Sequence, residues 1–270
     1  MTQVSVIGML VSFPIQGYAG FSIAFSTLHV LVSYWFVWRF RTDLKQSANI
    51  TFSALLALTA LGFMILSTMG LWAMPLILLS DMRGSMLYYM AVQFFLHFQF
   101  NGWFIFAVLA LFFRFLEKQQ LAVSTEDTRV FYRLLLVSAF LTFALAVAWS
   151  NPQQITFWVN SLGVTVQLLA VLWLLKIVFP QKDVIRRAFD SWNYGWLKLD
   201  FLAFVLKEFI QTAVVVPYIA TIAYTIRNYV IGFIHLLLLG IISICIFAFA
   251  GKQNLIVFSG KLARAGIYLF

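Results

Sequence analysis

Long apolar stretches separated by short polar turns run along the whole chain. Seven of them are long enough to cross a bilayer, which takes about 20 residues of helix. Because no soluble domain or long linker interrupts them, the pattern predicts one all-α domain over residues 1–270, an integral membrane bundle of seven transmembrane helices. The predicted spans lie near 17–40, 51–79, 86–113, 130–149, 154–176, 200–226 and 228–250.

Composition agrees with this class of protein. Hydrophobic residues make up 63% of the 270 residues, and charged residues only 10%. A soluble domain is far less apolar, so the lipid bilayer is the predicted environment. The net charge of +9 does not indicate a nucleic-acid partner, because the basic residues lie in short loops between apolar stretches. The single cysteine, Cys245, excludes an internal disulfide.

The basic residues predict the orientation. Alternate loops carry most of the 18 lysines and arginines, whereas the other loops carry only Arg83 and Arg227. The positive-inside rule therefore places the N-terminus outside and the C-terminus in the cytoplasm, in a bacterial inner membrane. The basic loops are those with Arg39, Arg41 and Lys45; Arg114, Lys118, Arg129 and Arg133; Lys176, Lys182, Arg186, Arg187 and Lys198; and the tail with Lys252, Lys261 and Arg264.

Residues 181–198 differ from the other loops. They combine basic residues with Trp192, Tyr194 and Trp196. Aromatic rings favour the headgroup level of a bilayer, and cations favour anionic lipid. We therefore interpret 181–198 as a cytoplasmic interfacial segment, with a docking surface for a partner as the alternative.

All three histidines of the chain lie in predicted odd-numbered spans, at a similar depth in the membrane. His97 belongs to a polar stripe at helical spacing, and so does His29. His235 lies seven residues after Asn228 and on the same helical face. Such stripes face a bundle interior, since lipid cannot satisfy their hydrogen bonds. The stripes consist of Ser22, Ser26, His29 and Ser33, and of Tyr89, Gln93, His97 and Asn101.

Intramembrane histidines indicate function, and imidazole is a common metal ligand. Two facing imidazoles would hold a haem iron axially, and three converging ones would hold copper, zinc or iron. Arg227, Asn228 and Arg83 are candidate partners for haem propionates. Alternatively, the two arginines extend to the membrane interface. The simplest alternative is that each histidine hydrogen-bonds across helices.

A second polar cluster occurs in the predicted sixth span. Lys207, Glu208 and Gln211 would begin a proton path from the cytoplasm toward the histidine layer. A buried structural ion pair is the alternative. Adjacent helical residues point about 100° apart, so we expect Lys207 to reach toward Asp200 or the inner surface, and Glu208 to face the bundle.

Three further residues are interpreted structurally. Asn160 and Gln167, seven residues apart on the fifth span, are expected to hold helices together, and Pro217 is expected to kink the sixth span.

Two histidines share a local sequence. His97 begins H-F-Q-F-N-G-W, and His235 begins H-L-L-L-L-G. The H-x-x-x-x-G-W form resembles helices of membrane haem proteins related to haem–copper oxidase catalytic subunits. The resemblance implies that His97 and His235 ligate haem or copper. With seven spans and three histidines, this chain would carry a reduced site, or act as a subunit of a larger complex.

Three functions remain open at this point. The first is a membrane protein that binds haem b or copper for redox or diatomic-gas chemistry, either alone or as a subunit of a respiratory-type complex with other membrane subunits. The second is an intramembrane enzyme with a three-histidine zinc site that acts on a lipid. The third is a non-catalytic subunit or transporter whose histidines serve packing or proton movement.

Overall fold

The computed structural model describes residues 1–17, 19–47, 49–121, 123–148, 153–256 and 266. Within these ranges no β-strand occurs, and the predicted all-α class is confirmed. The α-helices are α1 (Thr2–Gln16), α2 (Gly20–Lys45), α3 (Phe52–Leu79), α4 (Met86–His97), α5 (Ile105–Lys118), α6 (Thr125–Leu141), α7 (Phe143–Ala148), α8 (Gln154–Val178), α9 (Lys182–Ala188), α10 (Ser191–Ala213), α11 (Pro217–Thr225), α12 (Arg227–His235) and α13 (Ile244–Lys252).

Two π-helical segments join α-helices without a turn. The first, π1 (Phe98–Phe104), connects α4 to α5, and the second, π2 (Leu236–Ser243), connects α12 to α13. A short 3₁₀ turn, Phe179–Gln181, connects α8 to α9. The predicted interfacial segment 181–198 is therefore mostly helical, since α9 and the start of α10 occupy it.

Consecutive helical segments such as α4, π1 and α5 together form longer continuous helices. Six continuous helices of the described chain are long and apolar enough to cross a membrane, and they match six of the seven predicted spans. The chain is therefore an integral membrane protein with at least this helical core. The six are Gly20–Lys45, Phe52–Leu79, Met86–Lys118, Thr125–Ala148, Gln154–Ala188 and Asn228–Lys252.

The predicted sixth span over 200–226 is not one continuous helix, and the interruption lies at Pro217, where a kink was expected. The chain forms α10 and α11 there, and α10 ends at Ala213, before α11 begins at Pro217. Proline has no backbone N–H and its ring clashes with the preceding turn, so it starts a helix more readily than it continues one. The sequence pattern also did not predict α1, a 15-residue helix that packs on α2.

Polar contacts bring together the ends of α5 and α8 and the starts of α3 and α6. The Glu117 carboxylate accepts hydrogen bonds from the Ser53 backbone N–H at 2.9 Å and from its hydroxyl at 2.6 Å. Lys176 forms a 2.7 Å ion pair with Asp127. We call the end of the bundle that carries Glu117, Lys176 and the lysines and arginines of the predicted basic loops the basic end of the bundle.

The start of α10 is fixed at the same end. Asp190 caps this helix, because its carboxylate accepts from the backbone N–H groups of Trp192 at 3.1 Å and Asn193 at 3.2 Å. Burial raises the pKa of Asp190, but the hydrogen bonds from Asn193 and Trp192 outweigh it and hold the pKa below its usual value. Nearby, Lys252 of α13 donates to the carbonyl of Ala188. These contacts set where α10 enters the bundle.

An aromatic core packs α3, π1, α5 and α6 together. Phe63 stacks on Phe98 with 5.8 Å between ring centroids, and Phe113 stacks on Phe131 at 5.9 Å. Gly102 permits the close approach of π1 to α3, since a Cβ there would lie 2.5 Å from the ring of Phe63. The core therefore holds π1, and with it the end of α4, against α3.

A second glycine sets the distance between α8 and the junction of α6 and α7. A Cβ at Gly163 would lie 2.7 Å from the Leu141 Cβ and 2.8 Å from the Thr142 backbone nitrogen. Backbone cannot move aside as a flexible side chain does.

Gly163→Ala should therefore destabilise the protein by about 1–3 kcal/mol, measured by thermal unfolding in detergent. Gly62→Ala is the matched control, because nothing lies within 4 Å of its Cβ; equal losses in both variants would contradict this packing.

Candidate functional site

The two histidine segments that share H-x-x-x-x-G also share a backbone conformation. In each, an α-helix ends at the histidine and a π-helical segment follows directly, with Gly102 inside π1 and Gly240 inside π2. π-Helical turns are rare and frequently occur at functional sites. The shared sequence therefore corresponds to a shared and unusual local structure.

His97 is held in a defined orientation beside π1. Its Nε2 lies 2.8 Å from the carbonyl oxygen of Ala139 on α6. A carbonyl only accepts, so Nε2 carries the proton and the neutral ring keeps Nδ1 as an acceptor. Asn101 lies one turn on, with its amide nitrogen 3.5 Å from Nδ1. The basic nitrogen of His97 therefore faces Asn101.

His97 lines a cavity of about 160 Å³ between α4, π1, α7, α8, α10 and α12. Three of the four residues in its predicted stripe lie in this cavity wall, and the fourth, Tyr89, is exposed. Side chains from other helices add further polar groups to an otherwise apolar wall. The polar lining consists of Gln93, His97, Asn101, Thr142, Asn160, Gln211 and Tyr229.

Two buried acceptors in this wall have no hydrogen-bond partner among the described residues. They are the side-chain oxygens of Asn101 and Asn160. Asn160 is only 1% exposed, and its amide nitrogen donates to the Val214 carbonyl at 3.3 Å. Unpaired buried acceptors are costly, and a cavity of this size with polar groups in its wall accommodates water molecules. The wall is therefore suited to hydrogen-bond donors.

A buried ion pair lies on α10 next to this cavity. Lys207 Nζ is 2.9 Å from Glu208 Oε1, and the two residues are 1% and 6% exposed. The prediction that Lys207 would reach toward Asp200 or the surface is wrong. The lysine side chain is long enough to reach Glu208 although adjacent helical residues point about 100° apart. Among the described residues Glu208 is the salt-bridge partner of Lys207.

Two glutamines extend this pair into a network. The Gln167 amide donates to both oxygens of Glu208 at 3.0 Å. Gln211 donates to the Gln167 carbonyl oxygen at 2.8 Å. Gln211 also lines the His97 cavity. The predicted proton-path residues Lys207, Glu208 and Gln211 therefore form one hydrogen-bonded chain that ends at this cavity.

The other two histidines lie in different surroundings. His29 Nδ1 is 3.1 Å from the Ser5 hydroxyl on α1. His235 Nδ1 donates to the backbone carbonyl of Ile231, one turn earlier in α12, at 2.8 Å. His235 is also exposed. Among the described residues, no group of three or more His, Cys, Asp or Glu side chains could hold a metal ion. The donor set of a three-histidine copper or zinc site is therefore not assembled here.

Two of the predicted propionate partners, Arg83 and Asn228, are not in the cavity wall. Arg83 is exposed. Asn228 is exposed, and the side chain of Arg227 lies outside the described part of the structure. Their neighbour Tyr229 lines the cavity instead. Sequence reasoning missed Tyr229 and Thr142. It singled out Asn160 and Gln167 by their seven-residue spacing, but assigned them only to helix packing.

The chain matches no family model, no curated protein and no solved structure. Its function is therefore inferred from the geometry of its own residues.

The buried pair makes a direct prediction for stability. Lys207→Met leaves the Glu208 carboxylate uncompensated and should destabilise the protein by about 3–5 kcal/mol. Lys207→Met with Glu208→Gln removes both charges and should recover most of the loss. Thermal unfolding in detergent measures both. Lys176→Met, which breaks the exposed pair with Asp127, is the control and should change unfolding little. A double variant no more stable than Lys207→Met would contradict the pairing.

Proposed function

We propose that this integral membrane protein transfers protons between the basic end of the bundle and the cavity at His97. The observation that carries the proposal is the position of Gln211. This side chain hydrogen-bonds into the Glu208 network and also lines the cavity that contains His97. Titratable groups linked across membrane helices are typical of proton relays.

Each residue has a distinct role in this proposal. Lys207 and Gln167 stabilise the Glu208 carboxylate, which takes up and releases the proton. Gln211 and Asn160 orient water in the cavity. His97 accepts the proton at Nδ1, since Nε2 already donates to Ala139.

Asn101 is suited to stabilise both forms of His97. Its amide nitrogen faces Nδ1 of the neutral ring. Its oxygen is buried without a partner. Rotation of the amide by half a turn brings that oxygen to a protonated Nδ1, which then donates to it. Asn101 would therefore support arrival and departure of the proton equally.

Proton transfer should depend on Glu208. Glu208→Gln keeps the shape and much of the hydrogen bonding but cannot exchange a proton, so we expect at least a tenfold slower pH change in proteoliposomes under an imposed gradient. A pH-sensitive dye inside the vesicles provides the measurement. Glu117→Gln is the matched control, because this carboxylate hydrogen-bonds Ser53 at the basic end and lies outside the network. Equal rates for both variants would contradict the proposal.

We also propose seven membrane passes, with α10 and α11 together forming the sixth. In this topology the N-terminus is outside, and the basic end lies in the cytoplasm of a bacterium. The distribution of lysine and arginine supports it. The buried charges of α10 account for the difference between this pass and the six more apolar helices.

Cysteine labelling tests the orientation. In a Cys245→Ala background, Met82→Cys should react in intact cells with a reagent that does not cross membranes. Gln119→Cys, which directly follows α5 at the basic end of the bundle, should react only after the membrane is opened. The reverse pattern would place the basic end outside.

Haem or copper binding for redox or diatomic-gas chemistry is a second proposal. It is favoured by one observation. His97 and His235 each donate one ring N–H to a backbone carbonyl, the arrangement that orients metal-binding histidines. The cavity at His97, about 160 Å³, is below the roughly 300–1,000 Å³ of most ligand pockets. A haem beside His97 would therefore require α4 and α12 to separate.

Spectroscopy and metal analysis distinguish the two proposals. Haem binding predicts a Soret band in the purified protein that is lost in His97→Ala or His235→Ala, with membrane insertion retained. Proton transfer without a cofactor predicts a colourless protein. A Soret band that survives both substitutions would contradict the second proposal.

A further inference from the structure

A second cavity, of about 370 Å³, lies at the basic end between α5, α8, α9 and α10. Its volume is within the roughly 300–1,000 Å³ of ligand pockets. Most of its wall is apolar, and large apolar side chains stand exposed at its edge: Phe179 is 67% exposed and Phe201 is 43% exposed. Exposed apolar side chains beside an apolar cavity are suited to contact with lipid acyl chains. The apolar wall includes Leu109, Phe112, Leu175, Val178, Leu197 and Phe204.

Two lysines also line this cavity. Lys182 lies over the ring of Phe179, with Nζ 4.4 Å from its centroid, and Lys198 lies over Tyr194 at 5.4 Å. Both lysines are exposed. In the described part of the chain neither of them forms a salt bridge. The cavity therefore joins an apolar wall to two cations that form no salt bridge in the described part of the chain.

Asp200 adds an acceptor to the same wall. Its Oδ1 is buried and has no hydrogen-bond partner among the described residues. A buried carboxyl oxygen that accepts no hydrogen bond is costly. A ligand hydroxyl that donates to Oδ1 would remove this cost.

We propose that this cavity binds an anionic phospholipid whose headgroup carries a free hydroxyl. Its phosphate lies at Lys182 and Lys198, its hydroxyl donates to Asp200, and an acyl chain fills the apolar part. Basic pockets between helices at the cytoplasmic side are suited to anionic headgroups. The site is separate from the His97 cavity, and the proposal rests on the proposed orientation of the basic end but not on proton transfer.

Lipid titration of the purified full chain tests this site, with binding followed by native mass spectrometry in detergent. Phosphatidylglycerol should bind at least tenfold more tightly than phosphatidylcholine with the same acyl chains. Lys182→Gln with Lys198→Gln should weaken phosphatidylglycerol binding by about 30-fold. The matched control removes two exposed lysines of the basic end outside the cavity, Lys45→Gln with Lys118→Gln, and should change binding by less than about threefold.

Two further variants test the positions of the lipid acyl chain and of the headgroup hydroxyl. Val178→Trp fills the apolar part and should abolish binding while it leaves both lysines. Asp200→Leu should remove the preference for phosphatidylglycerol over phosphatidylmethanol, an anionic lipid without the hydroxyl. Equal affinity for phosphatidylglycerol and phosphatidylcholine would overturn the proposal. So would an equal loss in the control pair, or full binding by Val178→Trp.

Discussion

The interior of a helical bundle supplies little water to charged groups, so a chain that buries a lysine and a glutamate there must provide their partners itself. This constraint determines how α10 is built into the bundle. Lys207 and Glu208 neutralise each other at 2.9 Å, and Gln167 of α8 donates to both carboxylate oxygens. The pair therefore holds α10 against α8. It also explains why α10 is too polar to resemble the six more apolar helices.

The His97 cavity follows from the same arrangement. Gln211 lies one turn beyond Lys207 on α10 and extends the network to the cavity wall. The α10 helix ends soon afterwards, and the Val214 carbonyl at its end accepts from Asn160. The break before α11 thus leaves room for a polar cavity in the bundle. Replacing the ion pair with an apolar pair would keep the helices together but remove the titratable group next to that cavity.

The sequence predicted the helical class and six spans because apolar stretches of this length have few other structures available. It also identified the stripe of Gln93, His97 and Asn101, since residues four apart share a helical face. Periodicity does not determine which helices are neighbours, so it did not show that His29 contacts Ser5 of α1. Nor does it report side-chain reach, so the sequence offers the buried Lys207–Glu208 ion pair only as the alternative to a lysine directed at Asp200 or the surface. The π-helical segments also had no signal in the pattern beyond the shared H-x-x-x-x-G.

The central claim is that Glu208 and His97 act on one proton path through Gln211. The most direct measurement is a double-mutant cycle on proton transfer in proteoliposomes, with Glu208→Gln, His97→Gln and both together. Two residues on one path give a double variant no slower than the slower single variant, because either change already blocks transfer. If the two losses multiply, Glu208 and His97 act independently, and the account is contradicted.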